Sequence, residues 1–174
     1  MNLAEAAARA QELAEAGDER AIADLRRQWE DEVEGSARDA DYRVRAVAYR
    51  AIGQFRYRQK LELLQRGLED ESPACRGSAL VSLVLLSRDS PGVSNRTRRI
   101  LHELANDDPN EAVRRLAILC LKNGPPARET IVLLGGLAEA DEEERGLREA
   151  AQKVAAFLTK KSHVEANARR SGGR

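Results

Sequence analysis

The sequence predicts an all-α chain of stacked helical repeats, about eight or nine helices in all. Three observations carry that prediction. The pattern Asp-x5-Arg-x2-Ala recurs as Asp39…Arg45…Ala48, Asp70…Arg76…Ala79 and Asp108…Arg114…Ala117, with a Glu-led copy at Glu142…Arg148…Ala151. The arginines fall 31, 38 and 34 residues apart (45 to 76, 76 to 114, 114 to 148). Self-similarity at such a period marks units that cannot bury an apolar face alone and must stack to do so. The composition is 42% hydrophobic but only 3% aromatic, so a core has to be built from Leu, Ala, Val and Ile. The abundance of Ala, Leu, Glu and Arg favours helix. Apolar residues recur at spacings of three and four, and no stretch alternates with period two for long enough to read as a strand.

Taken in order, residues 2–16 form an amphipathic helix with Leu3, Ala6, Ala7, Ala10 and Leu13 on one face; Gly17 ends it and Asp18 caps the next. Residues 1–18 are therefore read as an N-terminal capping element, and 19–159 as the repeat array. The second helix, about 19–34, carries Ile22, Leu25, Trp29 and Val33 on one stripe. Its acidic last turn opposes the helix dipole and is expected to fray or to meet basic groups elsewhere. Helices follow over about 41–54, 58–68 and 73–86. Residues 87–93 (SRDSPGV) read as a loop that lengthens the middle period. Helices at about 95–106, 110–123, 127–139 and 142–159 complete the array, with Asn123-Gly124-Pro125-Pro126 as a stop and restart. Residues 160–174 hold five basic residues against Glu165 alone and are expected to form a disordered basic tail.

Charge is balanced, 29 basic against 29 acidic residues, which argues against a whole surface devoted to nucleic acid or anionic membrane. No apolar run is long enough for a membrane span, and the N-terminus lacks the basic start and apolar stretch of a signal peptide. Cys75 and Cys120 sit in the apolar pattern without a second ligand at metal spacing, as reduced buried thiols of a cytoplasmic protein would.

The repeated acid stands in the turn before the second helix of each pair, where it can accept a bond from a free N–H. The arginine six residues on can reach the acid of its own repeat or of a neighbour through its planar fork. Asp39, Arg45, Asp70, Arg76, Asp108, Arg114, Glu142 and Arg148 are thus read as a structural ladder, with the alanine small because helices approach closely there. The segments DADYRVRAVAYRAIG, DESPACRGSALVSLV and DPNEAVRRLAILCLKNG, and more weakly EEERGLREAAQKVAAFL, resemble the HEAT or HEAT-like (PBS-lyase-type) repeat family. The resemblance covers roughly residues 20–158. It implies antiparallel helix pairs stacked into a short right-handed solenoid, a scaffold that serves many unrelated roles.

Chemistry-bearing residues are few. The repeat arginines could bind an anion, but each travels with an acid, which favours the structural role. His102-Glu103 is the one His-Glu pair, whereas HEAT-like di-iron hydroxylases use several; no metal and no cofactor are expected. Trp29 brings to mind the HEAT-like alkylpurine DNA glycosylases, yet aromatics are scarce and Trp29 lies on an apolar stripe. Tyr42, Tyr49 and Tyr57 cluster around the first full repeat, as contact or structural residues. The acidic run Glu139–Glu144 reads as a solvated turn or as an attractor of basic partners. No nucleophile–base pairing or phosphate-binding loop is present.

Residues on the second-helix, concave face carry the functional expectation. Arg50, Val81, Val84, Leu119, Lys122 and Lys153 would form an apolar patch bounded by cations, suited to a partner helix or peptide. The alternative is that neighbouring second helices cover Val81 and Leu119. The expected function is a non-enzymatic adaptor or regulatory subunit that binds another protein, with no membrane partner. A nucleic-acid-binding protein of the glycosylase type and a bilin-lyase-like accessory protein are the alternatives.

Overall fold

The computed structural model describes residues 1–172, which contain ten α-helices and no strand. They are α1 (Leu3–Ala16), α2 (Glu19–Ser36), α3 (Tyr42–Gln54), α4 (Leu61–Leu68), α5 (Pro73–Asp89), α6 (Gly92–Arg96), α7 (Arg98–Asp107), α8 (Glu111–Lys122), α9 (Arg128–Glu139) and α10 (Arg145–Ser171). A 3₁₀ turn (Arg58–Lys60) leads into α4. The chain divides into two compact units, residues 1–93 and 94–174.

In the first unit α1, α3 and α5 lie side by side in one layer, and α2 and α4 pack against them in the other. The N-terminal helix α1 therefore stacks on α3 in the layer of second helices. Its capping box is complete: the Asn2 side chain accepts from Glu5 N–H at 3.0 Å, and Glu5 accepts from Asn2 N–H at 2.9 Å. Gly17, at φ +74°, supplies the left-handed turn that ends α1. The core is aliphatic and aromatic together: Ile22, Val33, Ile52, Leu64, Leu80 and Leu83 are buried, as are the Phe55 and Tyr57 rings, whose centroids are 5.4 Å apart. The acidic end of α2 does meet a basic group. Lys60, buried, donates to Glu30 at 2.8 Å and to Glu34 at 2.5 Å. Burial alone would lower the Lys60 pKa, but the two carboxylates outweigh it and hold it above its ordinary value.

In the second unit α8 and α10 form one layer and α7 and α9 the other. Leu101, Val113, Ile118, Leu134, Leu147 and Leu158 make its core.

Two expectations are corrected. The segment 87–93 is not a loop throughout: α5 continues to Asp89 and α6 starts at Gly92. Val93, Ser94 and Thr97 are buried there, and burial of this stretch overrides its turn-forming composition. The basic segment is not an irregular tail over 160–171, because α10 runs through Ser171. Between Gly146 and Gly172 there is no glycine or proline to stop it, and Ala, Lys, Glu and Arg all propagate helix. The Lys161 ammonium also donates to the Gly124 carbonyl at 2.9 Å, tying this part of the helix to its unit. The last two residues of that predicted tail lie outside the described residues.

Candidate functional site

The repeated Asp-x5-Arg motif resolves into two local devices. The acid accepts the backbone N–H two residues on, at the N-cap of the second helix: Asp39 from Asp41 at 2.7 Å, Asp70 from Ser72 at 2.9 Å, Asp108 from Asn110 at 2.8 Å. This is an Asx turn that delivers the chain into α3, α5 and α8. The arginine then folds back on the same turn. Arg45 donates to the Asp39 and Ala40 carbonyls at 3.0 and 2.9 Å, and Arg76 to the Asp70 and Glu71 carbonyls at 3.0 and 3.1 Å.

The rest of the fork reaches the next repeat. Arg45 grips Asp70 with two bonds, at 2.8 and 3.0 Å, and Arg114 grips Glu143 with two, at 2.7 and 2.6 Å. Burial pushes the Asp70 carboxyl up, but the Arg45 fork and the Ser72 N–H together pull it below its ordinary value. The Arg114 guanidinium likewise holds Glu143 low. In the fourth copy the acid paired with Arg114 is Glu143; Glu142 is exposed, and Arg148 lies 3.4 Å from Asp141. A Glu side chain is one methylene too long to close the Asx turn, so the acidic register there follows the arginine instead of the N-cap. Arg114 and Arg148 reach back instead to carbonyls of the preceding helices, Ala105 at 2.9 Å and Ala138 at 3.3 Å. All four arginines are thus committed to nearby carbonyls, and Arg45 and Arg114 also to an acid of the next repeat, which leaves little of their forks for a ligand.

The remaining sequence candidates take structural places. Tyr49 is buried and donates to the Ala37 carbonyl at 3.2 Å; buried Tyr57 donates to the Arg26 carbonyl; Tyr42 is exposed. Trp29 is half-buried on α2 with its indole N–H enclosed and unpartnered. His102 Nε2 lies 2.9 Å from Thr130 Oγ1, and burial, helped by Arg98, lowers its pKa. Among the described residues no group of three or more His, Cys, Asp and Glu is arranged to hold a metal. His102 lines a groove of about 640 Å³ with Glu103, Asp107, Glu129 and Glu142. Its acids are partly engaged, Glu143 by Arg114 and Glu129 by Arg98, and the hydroxyl that meets the imidazole, Thr130, is buried and outside the groove lining.

Of the six residues expected on the second-helix face, Arg50 (α3) and Val81 and Val84 (α5) lie in the first unit. Arg50 is exposed, and the two valines are half-buried. Leu119 and Lys122 (α8) and Lys153 (α10) lie in the second unit, where all three line one groove of about 470 Å³. Sequence reasoning missed its other walls, Arg115 and Ile118 on α8 and Val154 and Phe157 on α10. The signal was available. Arg115, Ile118, Leu119 and Lys122 are spaced i, i+3, i+4, i+7, and so are Ala150, Lys153, Val154 and Phe157, so each set forms one stripe along its helix. Leu119 is 43% exposed and Phe157 45%, unusual values for large apolar side chains flanking one groove. The Lys122 ammonium sits 5.0 Å from the Phe157 ring centre, bridging the two helices by a cation–π contact.

A family model for HEAT repeats matches residues 33–122, just over half of the chain. The protein belongs to the HEAT-repeat family. The match begins near the end of α2 and closes at the end of α8, so it spans the three Asp-led copies of the motif. No curated protein matches the sequence. HEAT repeats are generally protein-interaction scaffolds, built of helix pairs like those described above. No helix among the described residues is long and apolar enough to cross a membrane.

Proposed function

We propose that this HEAT-repeat protein is a non-enzymatic adaptor or regulatory subunit that holds a segment of a partner protein in the α8/α10 groove of its second unit. The observation that carries the reading is the pairing of exposed Leu119 and Phe157 over a floor of Ile118 and Val154. Exposed apolar side chains converging in a concave site, rimmed by polar groups, are what a protein contact uses at its centre. The committed arginine ladder supports a scaffold role, since the motif's charged groups serve the fold. The buried Cys75 and Cys120, neither in a disulfide, suit a reducing cytoplasm.

The test is affinity capture with the tagged full chain from its native cells, with nuclease and a salt series. The parent is compared with a Leu119→Ser/Phe157→Ser variant of matched circular dichroism. A stoichiometric protein retained by the parent and lost by the variant is the expected result. Equal retention by the variant refutes the groove. Recovery only of nucleic acid, released as salt rises, refutes the adaptor reading in favour of electrostatic nucleic-acid binding.

A further inference from the structure

The α8/α10 groove also specifies the chemistry of its occupant. Three cations stand around it, Arg115 and Lys122 on α8 and Lys153 on α10. The lining holds one carboxylate, Glu149, and Arg145 engages it at 2.8 Å. Arg115 has only a loose contact with Glu111, at 3.8 Å. Lys122 lies over the Phe157 ring, and Lys153 is near enough to Glu149 to help Arg145 lower its carboxyl pKa, but neither lysine has a carboxylate at ion-pair distance among the described residues. The groove is therefore apolar at its floor and positive at its rim, in a chain whose overall charge is zero. This local excess is a property of the groove and not of the whole surface.

The shape restricts the occupant further. Each wall is a helix presenting an i, i+3, i+4, i+7 stripe, so the groove runs along two helical turns, about 10 Å at 1.5 Å per residue. A groove between two packed helices accepts the ridge of a third. A helix lying there would place its apolar residues on Leu119, Val154 and Phe157, and its flanking positions opposite Lys122 and Lys153.

Resting on the groove reading above, we infer that the partner segment is an acidic amphipathic helix. Two turns of it carry apolar residues at i, i+3/i+4 and i+7, with Glu or Asp on the flanks. Its carboxylates pair with Arg115, Lys122 and Lys153, and its apolar stripe covers the exposed faces of Leu119 and Phe157.

The test uses three fluorescein-labelled, hydrocarbon-stapled helical peptides of two heptads each. One carries a leucine stripe with glutamate flanks, one the same stripe with lysine flanks, and one glutamate flanks with serine in place of leucine. Binding to the full-length protein is read by fluorescence anisotropy. The Glu/Leu peptide is expected to bind about tenfold or more tightly than either other peptide, because lysine flanks turn an attraction into a repulsion and serine removes the apolar burial. In a Lys122→Glu/Lys153→Glu variant of unchanged circular dichroism the preference should invert towards the Lys/Leu peptide. Equal affinity for the Glu and Lys peptides, an unaltered preference in the double variant, or no binding of the Glu/Leu peptide by about 1 mM overturns the inference. So does concentration-dependent self-association in sedimentation that the double variant abolishes, because the occupant is then a second copy of this chain. The two readings fail separately. Loss of a captured protein on Leu119→Ser/Phe157→Ser alongside no Glu/Leu preference leaves the groove standing and removes only the acidic helix.

Discussion

Gly53 on α3 meets Ser82 on α5 at a close helix approach, and a single methyl group there should be costly. A Cβ at Gly53 would lie 2.5 Å from the Ser82 Cα, 2.6 Å from its Oγ and 2.8 Å from its Cβ. Ordinary carbon contacts need about 3.5 Å, so α3 and α5 would have to part by about 1 Å. The nearest atom is backbone and cannot rotate away, which places Gly53→Ala at the upper end of the overpacking range, about 3 kcal/mol. The Ser82 hydroxyl also accepts from Gly53 N–H at 2.9 Å and donates to the Tyr49 carbonyl at 2.5 Å, bridging the two ends of one i→i−4 pair. Losing that bridge costs about 1 kcal/mol, and the better helix propensity of alanine returns about the same amount. The net expectation for Gly53→Ala is about 3 kcal/mol of destabilisation. Ser82→Ala should cost no more than about 1 kcal/mol, because Gly53 N–H and the Tyr49 carbonyl can then bond each other. Urea unfolding followed by Trp29 fluorescence reports on this unit, since Trp29 is the chain's one tryptophan. With an m-value of about 2 kcal/mol per molar, Gly53→Ala should move the midpoint down by about 1.5 M. A midpoint within about 0.25 M of the parent would show that the helices tolerate the methyl, and the close-approach reasoning would be wrong.

Acid should act through the ladder. Asp70 and Glu143 are both held below their ordinary carboxyl values in the folded chain. Their contribution is fully present above the unfolded pKa, about 4, and is lost as pH falls through the lower folded values. Asp70→Asn and Glu143→Gln should each lower the urea midpoint at neutral pH and flatten its fall below about pH 4; curves parallel to the parent's would refute the assignment. Arg56 closes the α3 C-terminus at φ +58°, with Tyr57 N–H bonded to the Ile52 carbonyl and Arg56 N–H to the Gly53 carbonyl, each at 3.0 Å. Arg56→Val should cost about 2 kcal/mol, since β-branching is poorly compatible with this conformation. The Arg56 guanidinium donates to the Leu85 carbonyl at 2.8 Å. Arg56→Gly should stay within about 1 kcal/mol of the parent, because relieved strain offsets the loss of that bond. Equal midpoints for the two variants would show that the backbone conformation is not what matters there.

Much of the fold was readable because it is written in local chemistry. The Asp-x5-Arg spacing encodes an Asx turn and, at Arg45 and Arg76, a fold-back arginine closed within six residues, so sequence distance is there a direct measure of contact. The helix ends at Asn2, Gly17, Asp18 and Pro73 are set in the same way, by which residues can cap or tolerate a turn. The α10 extension past Lys160 was missed because a basic, polar segment was weighed by charge, whereas the absence of any breaker before Gly172 decides the backbone. The 87–93 stretch differs for the opposite reason: its Ser, Pro and Gly content is local evidence for a loop, and burial of Ser87 and Val93, with Ser94 just beyond, overrides it.

The candidate site divides along the same line. Sequence alone determined that this is an all-α chain of HEAT-type pairs, that its repeat arginines travel with acids, and that Leu119, Lys122 and Lys153 share a helix-layer face. Only the tertiary structure decided that Val81 and Val84 are half-covered while Leu119 stays open, that Phe157 stands across from it, and that Glu143 takes the Arg114 fork. The reason is physical. Turns and caps are contacts between residues a few positions apart, so their geometry follows from identity and spacing. Exposure of a helix face depends on how closely the next helix approaches, and that distance is set by packing between residues far apart in the chain, such as Gly53 against Ser82.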